Sequence, residues 1–290
     1  MNKNFAVIGG DLRINYLAQM LAKNNKVYLF GQKIIDQSAN INLVPCNTLE
    51  EAIKNVQIVI SSVPLTKDGI NVYAPFSNNL ITITDLIQKS SNKTLIAGSI
   101  KEDIYNKAIN NNIKLIDLME QEDLTILNTI ATAEGAICDI ILNTSKNIHG
   151  SKILVLGFGR VAKVLAIKLS ALNAKITCAA RKDKDFAWME SLGFESTNIN
   201  NLSSNLGDYD VIINTVPKQI LDSTKLNYVK KDCLLLDLAS KPGGIDKIAC
   251  EDLGLKFIWS LAIPGKIAPV TSAHYIKNTI DKIIKEGEDN

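Results

Sequence analysis

Histidine and arginine are almost missing from this 290-residue chain, which holds two histidines (His149, His274) and three arginines (Arg13, Arg160, Arg181). Two isolated histidines exclude a His-rich metal centre, and no Ser-nucleophile motif accompanies them. The five cysteines (Cys46, Cys138, Cys178, Cys233, Cys250) are scattered, without a Cys-x-x-Cys pair. Such a set reads as buried thiols in a reducing cytoplasm rather than as disulfides or metal ligands. A net charge of +2 with no long run of one sign gives no support to a nucleic-acid partner. No apolar stretch approaches the ~20 residues needed to span a bilayer. The apolar run Phe5–Gly9 is too short for the core of a secretion signal, so a cytoplasmic location without membrane attachment is expected. There is no internal repeat.

What the chain does have is a regular alternation of short β-rich apolar runs with helical patterns, the pattern of βαβ units and a parallel sheet. In the first half, strands are predicted near 5–9, 26–30, 56–61, 94–97 and 113–117, with helices near 12–23, 49–55, 84–90 and 102–111. A longer helix follows over about 121–144. The pattern then restarts, with strands near 152–156, 175–179, 210–214, 233–237 and 256–259 and helices near 160–172, 184–192, 244–252 and 272–286. The predicted fold class is α/β: two Rossmann-like domains with parallel sheets, separated by a cleft and joined by a long helix. The expected domains are 1–145 and 146–290, with the last helix, 272–286, able to pack back on the first. Ligands of such sheets bind beyond the carboxyl ends of the strands.

Ile153-Leu154-Val155-Leu156-Gly157-Phe158-Gly159-Arg160-Val161-Ala162 is a strand, a Gly-x-Gly-x-x-Ala turn and a helix start. Gly157 permits the tight turn, Gly159 lets backbone approach a pyrophosphate, and Ala162 allows close helix–strand packing. Helix N–H groups would then face the phosphates, with Phe158, Arg160 and Val161 among the cofactor-binding residues. The next strand ends in Arg181-Lys182, where an NAD enzyme usually offers a carboxylate to the ribose. Arg181 suits a 2′-phosphate through bidentate bonds, so NADP is expected over NAD. Thr215-Val216-Pro217 and Leu238-Ala239-Ser240 sit at the carboxyl ends of later strands, where a nicotinamide ribose would lie.

The turn Gly9-Gly10-Asp11-Leu12-Arg13 lacks the glycine spacing of a second dinucleotide site, and Asp11 would repel a pyrophosphate. Arg13 has two readings of equal weight: it binds a substrate carboxylate, or it pairs with Asp11. Other candidates for the cleft are Ser62, Pro64 and Ser99 at strand ends, and Thr132 and Glu134 on the linking helix, where a solvated face is the competing reading of Glu134. With no nucleophile or metal, hydride exchange with a small anionic substrate is the fitting chemistry, because the cofactor carries it.

Several ordered blocks over nearly the whole chain resemble the family of dipicolinate synthase A subunits. They are Val7-Ile8-Gly9-Gly10-Asp11-Leu12-Arg13, Ala131-Thr132-Ala133-Glu134-Gly135, Ile148-His149-Gly150-Ser151 and Leu156-Gly157-Phe158-Gly159-Arg160. Asn214-Thr215-Val216-Pro217, Asp237-Leu238-Ala239-Ser240-Lys241-Pro242-Gly243-Gly244 and Pro264-Gly265-Lys266-Ile267-Ala268-Pro269 complete the series. The resemblance implies NADP-dependent oxidation of dihydrodipicolinate, or of its hydrated tetrahydro precursor, to dipicolinate during sporulation, in the mother-cell cytoplasm. It also implies a flavoprotein-like B subunit as partner. The chain departs from the family pattern at Lys241, where Arg is expected, and at Ala131, where Pro is expected. A substrate with two carboxylates could be clamped by Arg13 and Lys241, helped by Ser62, Ser99 and Ser240, with Glu134 or a water as base. Homo-oligomerisation stays open. Two other readings do too: a different NADP-dependent dehydrogenase of a small amino or hydroxy acid, and an NADP-binding subunit without chemistry of its own.

Overall fold

The structure, a computed structural model, describes residues 3–33, 41–202 and 206–287. It contains two six-stranded, all-parallel sheets. The first is built from β1 (Asn4–Ile8), β2 (Lys26–Phe30), β3 (Leu43–Pro45), β4 (Ile58–Ile60), β5 (Thr94–Ala97) and β6 (Lys114–Asp117), in the order β3-β2-β1-β4-β5-β6. The second uses β7 (Lys152–Leu156), β8 (Lys175–Ala180), β9 (Glu195–Asn198), β10 (Val211–Asn214), β11 (Leu234–Asp237) and β12 (Lys256–Trp259), in the order β12-β11-β10-β7-β8-β9. Counted from its own first strand, each sheet runs 3-2-1-4-5-6, the doubly wound nucleotide-binding order. The chain therefore does repeat an architecture, although no repeat is visible in its side chains.

Central strands such as Ile153-Leu154-Val155-Leu156 and Val211-Ile212-Ile213 are buried on both faces, which is why they read as unbroken aliphatic runs. The helices are α1 (Leu12–Leu21), α2 (Leu49–Ile53), α3 (Ile83–Lys89), α4 (Glu102–Asn110), α5 (Glu122–Asn143), α6 (Arg160–Ala171), α7 (Asp183–Ser191), α8 (Ser223–Leu226), α9 (Lys247–Asp252), α10 (Ile263–Ile267) and α11 (Pro269–Glu286). Local chemistry sets many of their starts. Asp11, Thr48, Thr82, Asp222 and Asp246 cap with side-chain oxygens, and Pro269 occupies the first turn of α11.

The chain divides into two compact units, Met1–Asn128 with Ala268–Asn290, and Thr129–Ile267. The division falls at 128/129, inside α5, rather than at 145/146. Packing explains the difference: Ala133, Ala136 and Ile140 of α5 are buried in one core with Val155, Leu165 and Ile213, whereas Leu124 belongs to the core of the first sheet. The return of the chain to the first unit has the same kind of cause. Ala273, Ile276 and Ile280 of α11 pack with Ile14, Leu17 and Leu21 of α1. By length and composition α5 is apolar enough to cross a membrane, contrary to the expectation that no segment is. Its buried alanines and Ile140 show the use that apolarity has here.

Candidate functional site

In the second unit the strand order reverses between β7 and β10, so the carboxyl ends of these strands flank the switch point. Gly157, directly after β7, has φ +96°, and an added Cβ would lie 2.6 Å from Thr215 Oγ1 and 2.8 Å from Val216 Cγ2. Only glycine meets both demands. The Thr215 hydroxyl donates to the Leu156 carbonyl at 2.8 Å, closing the two strand ends together. Gly159 caps α6 with no side-chain hydrogen bond, and no heavy atom of the described residues lies within 4 Å of where its Cβ would sit. Ala162 is fully buried against the sheet. A glycine turn with open space at Gly159, directly before a helix start, fits a pyrophosphate, so the residues present suit a dinucleotide.

Arg181 and Lys182 follow β8 and are exposed, with Lys182 at the start of α7. Phe158 is buried, while Arg160 is exposed. Lys163 of α6 places its ammonium 5.5 Å from the Phe158 ring centroid and 5.4 Å from that of Trp188 on α7. Neither Lys163 nor Trp188 stands out in the sequence. Their only signal is a lysine and two aromatics spaced across two helix starts.

The loops after β10 and β11 are built around Asp237, which is 1% exposed. Its Oδ1 accepts from Asn214 Nδ2 (2.8 Å) and Ala239 N (2.9 Å), and its Oδ2 from Gly244 N (2.7 Å) and Ile245 N (3.1 Å). Asn214 also braces Val216 at both its N–H and its carbonyl. Four donors satisfy a carboxylate that burial would otherwise penalise by several kcal/mol (~3 or more). This explains the Asp-Leu-Ala-Ser-Lys-Pro-Gly-Gly block as a folded loop before any chemistry is invoked. The cradle carries Leu238 half-buried and Ala239 buried, and it leaves Ser240 and Lys241 exposed. The Lys241–Pro242 bond is cis, and Pro242 lines a groove of about 380 Å³ together with Trp259, Ile245 and Gln219. Pro217 is exposed, with Val216 half-buried.

Glu134 lies on α5 with its side chain half exposed, and its Oε1 accepts from Lys168 Nζ of α6 at 3.0 Å. Thr132 is half-buried on the same helix. The Glu134-Gly135 block has a packing reason as well. A Cβ on Gly135 would come within 2.2 Å of Ile263 Cγ2, so glycine lets α10 pack directly on α5.

The first unit is organised differently. Arg13 is 6% exposed, donates from Nε and Nη2 to the Asp11 carboxylate (2.8–3.2 Å), and donates from Nη2 to the Val63 carbonyl. Ser62 is fully buried and donates its hydroxyl to Leu65 O at 3.0 Å, so it shapes the turn leading to cis Pro64 instead of being presented to a ligand. Ser99 is exposed and held at φ +55° by Asp117, whose Oδ1 and Oδ2 accept from Ser99 N and Ile100 N. At the head of α1, Gly10 N donates to Tyr73 O (2.8 Å), and Val72 and Ala74 would meet a Cβ on Gly9 at 3.0 Å.

Burial pushes the thiols of Cys178, Cys233 and Cys250 up to about 12, and they are neutral at pH 7.

Residues 4–119 match the family model for the N-terminal domain of the dipicolinate synthase A subunit. Residues 110–241 match the NAD-binding domain of D-isomer-specific 2-hydroxyacid dehydrogenases. The second unit is thus a nicotinamide-dinucleotide-binding domain of the dehydrogenase type. The crystal structure of the dipicolinate synthase A chain from Bacillus subtilis is 31% identical, with a TM-score of 0.87 over 99% of this chain and 97% of that one. That of the dipicolinate synthase A subunit from Bacillus halodurans is 29% identical, with a TM-score of 0.86 over 97% of each chain. The curated dipicolinate synthase A subunit of Bacillus subtilis strain 168 is 31% identical over 284 residues, which span 97% of this chain and 95% of that protein. Similarity of this extent, running through both units and their glycine turns, means that the chain belongs to the family of dipicolinate synthase A subunits.

Proposed function

We propose that this protein is an NADP-dependent oxidoreductase that converts dihydrodipicolinate, or its hydrated tetrahydro precursor, to dipicolinate during spore formation in the mother-cell cytoplasm. The observation that carries the reading is similarity along 97% of the chain to a dipicolinate synthase A subunit, joined to an arginine at the end of β8. In this reading the turn and helix start at Phe158, Gly159, Arg160 and Val161 hold the pyrophosphate, and Gly157, whose N–H donates to the Ala179 carbonyl at 2.8 Å, lets the turn close. Arg181 and Lys182 take the 2′-phosphate, for which a planar fork suits better than the carboxylate of an NAD site. Thr215, Val216, Pro217, Leu238 and Ala239 form the wall along the nicotinamide riboside. When bound, the oxidised nicotinamide supplies the hydride-accepting chemistry.

The chain's own contribution is alignment and charge. Lys241, exposed at the end of the Asp237 cradle, is the cation for one substrate carboxylate, with Ser240 beside it. Thr132, in the same unit, is a further polar group proposed for the substrate. The Arg13 and Ser62 polar groups already serve the first unit's own loops, so we assign both residues to shaping that unit. Glu134 is engaged by Lys168, and its role is to tie α6 to α5. The hydrated precursor first loses water, the proton lost as the ring becomes aromatic goes to solvent, and gain of aromaticity leaves the enzyme little to supply beyond orientation. The designation of the relatives as A subunits supports a B subunit as partner.

The test mixes the protein with NADP+ and substrate freshly formed from pyruvate and aspartate semialdehyde, with and without the B subunit, and with NAD+ as control. Parallel rises in reduced-cofactor and dipicolinate absorbance support the reading. Cofactor binding without turnover under any of these conditions would replace it with a non-catalytic NADP-binding subunit.

A further inference from the structure

Resting on the NADP reading above, we infer that Lys163 is a third cation of the 2′-phosphate subsite, held in position by the Phe158 and Trp188 rings. The ammonium lies over two aromatic rings, at 5.5 and 5.4 Å from their centroids. One ring belongs to the middle residue of the Gly157-Phe158-Gly159 turn. The other stands on α7, the helix that begins directly after Arg181-Lys182. Lys163 therefore reaches from the first turns of α6 into the space between the pyrophosphate turn and the helix behind the ribose-reading residues.

The surroundings of this lysine are not those of an ordinary surface cation. Trp188 is 55% exposed, a large apolar side chain left at the surface next to a lysine that covers its face. No carboxylate pairs with Lys163 among the described residues, although Asp183 and Asp185 stand in the first turn of α7. A cation–π contact at an exposed site is weak beside a charge-assisted bond to a phosphate dianion. The rings thus pre-position the ammonium without competing for it, and a phosphate can draw it off at small cost. Lysine suits this task, since its compact charge on a long stem swings where an arginine fork would stack. Arg181 would supply the planar contact and Lys163 the point charge, which together would separate a 2′-phosphate from a 2′-hydroxyl.

The experiment titrates the full chain with 2′,5′-ADP and with 5′-AMP by calorimetry, for wild type, Lys163→Met, Lys163→Arg and Arg181→Met, and follows tryptophan fluorescence in parallel with a Trp188→Phe control. The expected result is at least tenfold tighter binding of 2′,5′-ADP by wild type. Lys163→Met should lose about tenfold for 2′,5′-ADP and nothing for 5′-AMP, and Lys163→Arg should recover part of that loss. A fluorescence change on adding 2′,5′-ADP should vanish in Trp188→Phe. If Lys163→Met keeps the wild-type preference, or loses both ligands equally, the inference is overturned while the NADP reading stands. If wild type itself shows no preference, the NADP reading fails and takes this inference with it.

Discussion

Two sheets of the same strand order stand in one chain, and the turns after their first strands have opposite fates. After β1, the helix cap is Asp11, its carboxylate is filled by Arg13, and the strand-end glycines are covered by Val72, Tyr73 and Ala74. After β7, the cap is Gly159, with no side-chain bond and free space around it. A doubly wound sheet is therefore a scaffold for a nucleotide and not a guarantee of one. The two turns differ in how they are filled: in the first unit the Asp11 carboxylate and the Val72–Ala74 loop occupy the turn, and in the second the space beside Gly159 is open.

Substitutions can break this contrast from either side. The largest effect is expected at the second turn. Gly157→Ala adds a Cβ at 2.6 Å from Thr215 at φ +96°, and should abolish cofactor binding, by at least a hundredfold in titration with NADPH. Gly10→Ala, whose Cβ would meet Ile14 of the following helix at 2.6 Å, should lower thermal stability and leave cofactor affinity unchanged if the protein stays folded. Loss of NADPH affinity in that folded variant would contradict the contrast.

Next in size is Asp237→Ala, which strips the acceptor from four donors in a buried loop. A loss of about 3 kcal/mol in denaturant unfolding is expected, with cofactor affinity falling in the fraction that remains folded. An unfolding midpoint within error of wild type would remove the cradle from the account. Arg181→Asp should come third, shifting the NADP/NAD ratio of kcat/KM by tenfold or more toward NAD without altering stability. An unchanged ratio would show that the end of β8 does not read the ribose.

The smallest effect belongs to the amino ends of the second sheet's strands. Burial would raise the Asp210 carboxyl, but donors from Lys146, Lys230 and the Lys152 N–H outweigh it and hold the group well below the usual carboxylate range. A depressed folded pKa contributes stability above the unfolded value near ~4, and that contribution is lost as pH falls below it. Asp210→Asn should therefore cost about 1 kcal/mol at pH 7, after screening of the partly exposed lysines. The gap to wild type should close as pH is lowered from about 4. A gap that stays constant with pH would deny the depression.

Much of this was legible in the chain, for identifiable reasons. Aliphatic runs such as Ile153–Leu156 mark central strands, because those are buried on both faces. The edge strands β3 and β9 gave no such signal: Leu43-Val44-Pro45 is short and ends in proline, and Glu195-Ser196-Thr197-Asn198 is polar and largely exposed. The helices α8 and α10 span four and five residues, too few for any period to show. At the site, the glycine turn could be read because its shape rests on backbone freedom and local order, as Gly157 at φ +96° shows. Pairing of Arg13 with Asp11 was one of its two readings, but its bond to Val63 and the bond of Glu134 to Lys168 could not be read, since those partners lie far along the chain. The contact of Lys163 with two rings depended likewise on Trp188, in another helix.

The central claim is that this chain offers one nucleotide site, in its second unit, and that the site reads a 2′-phosphate. Calorimetric titration with NADPH and with NADH tests it most directly. The account predicts one NADPH per chain, bound at least tenfold tighter than NADH, with binding lost in Gly157→Ala. Two sites per chain, or tighter binding of NADH, would contradict it.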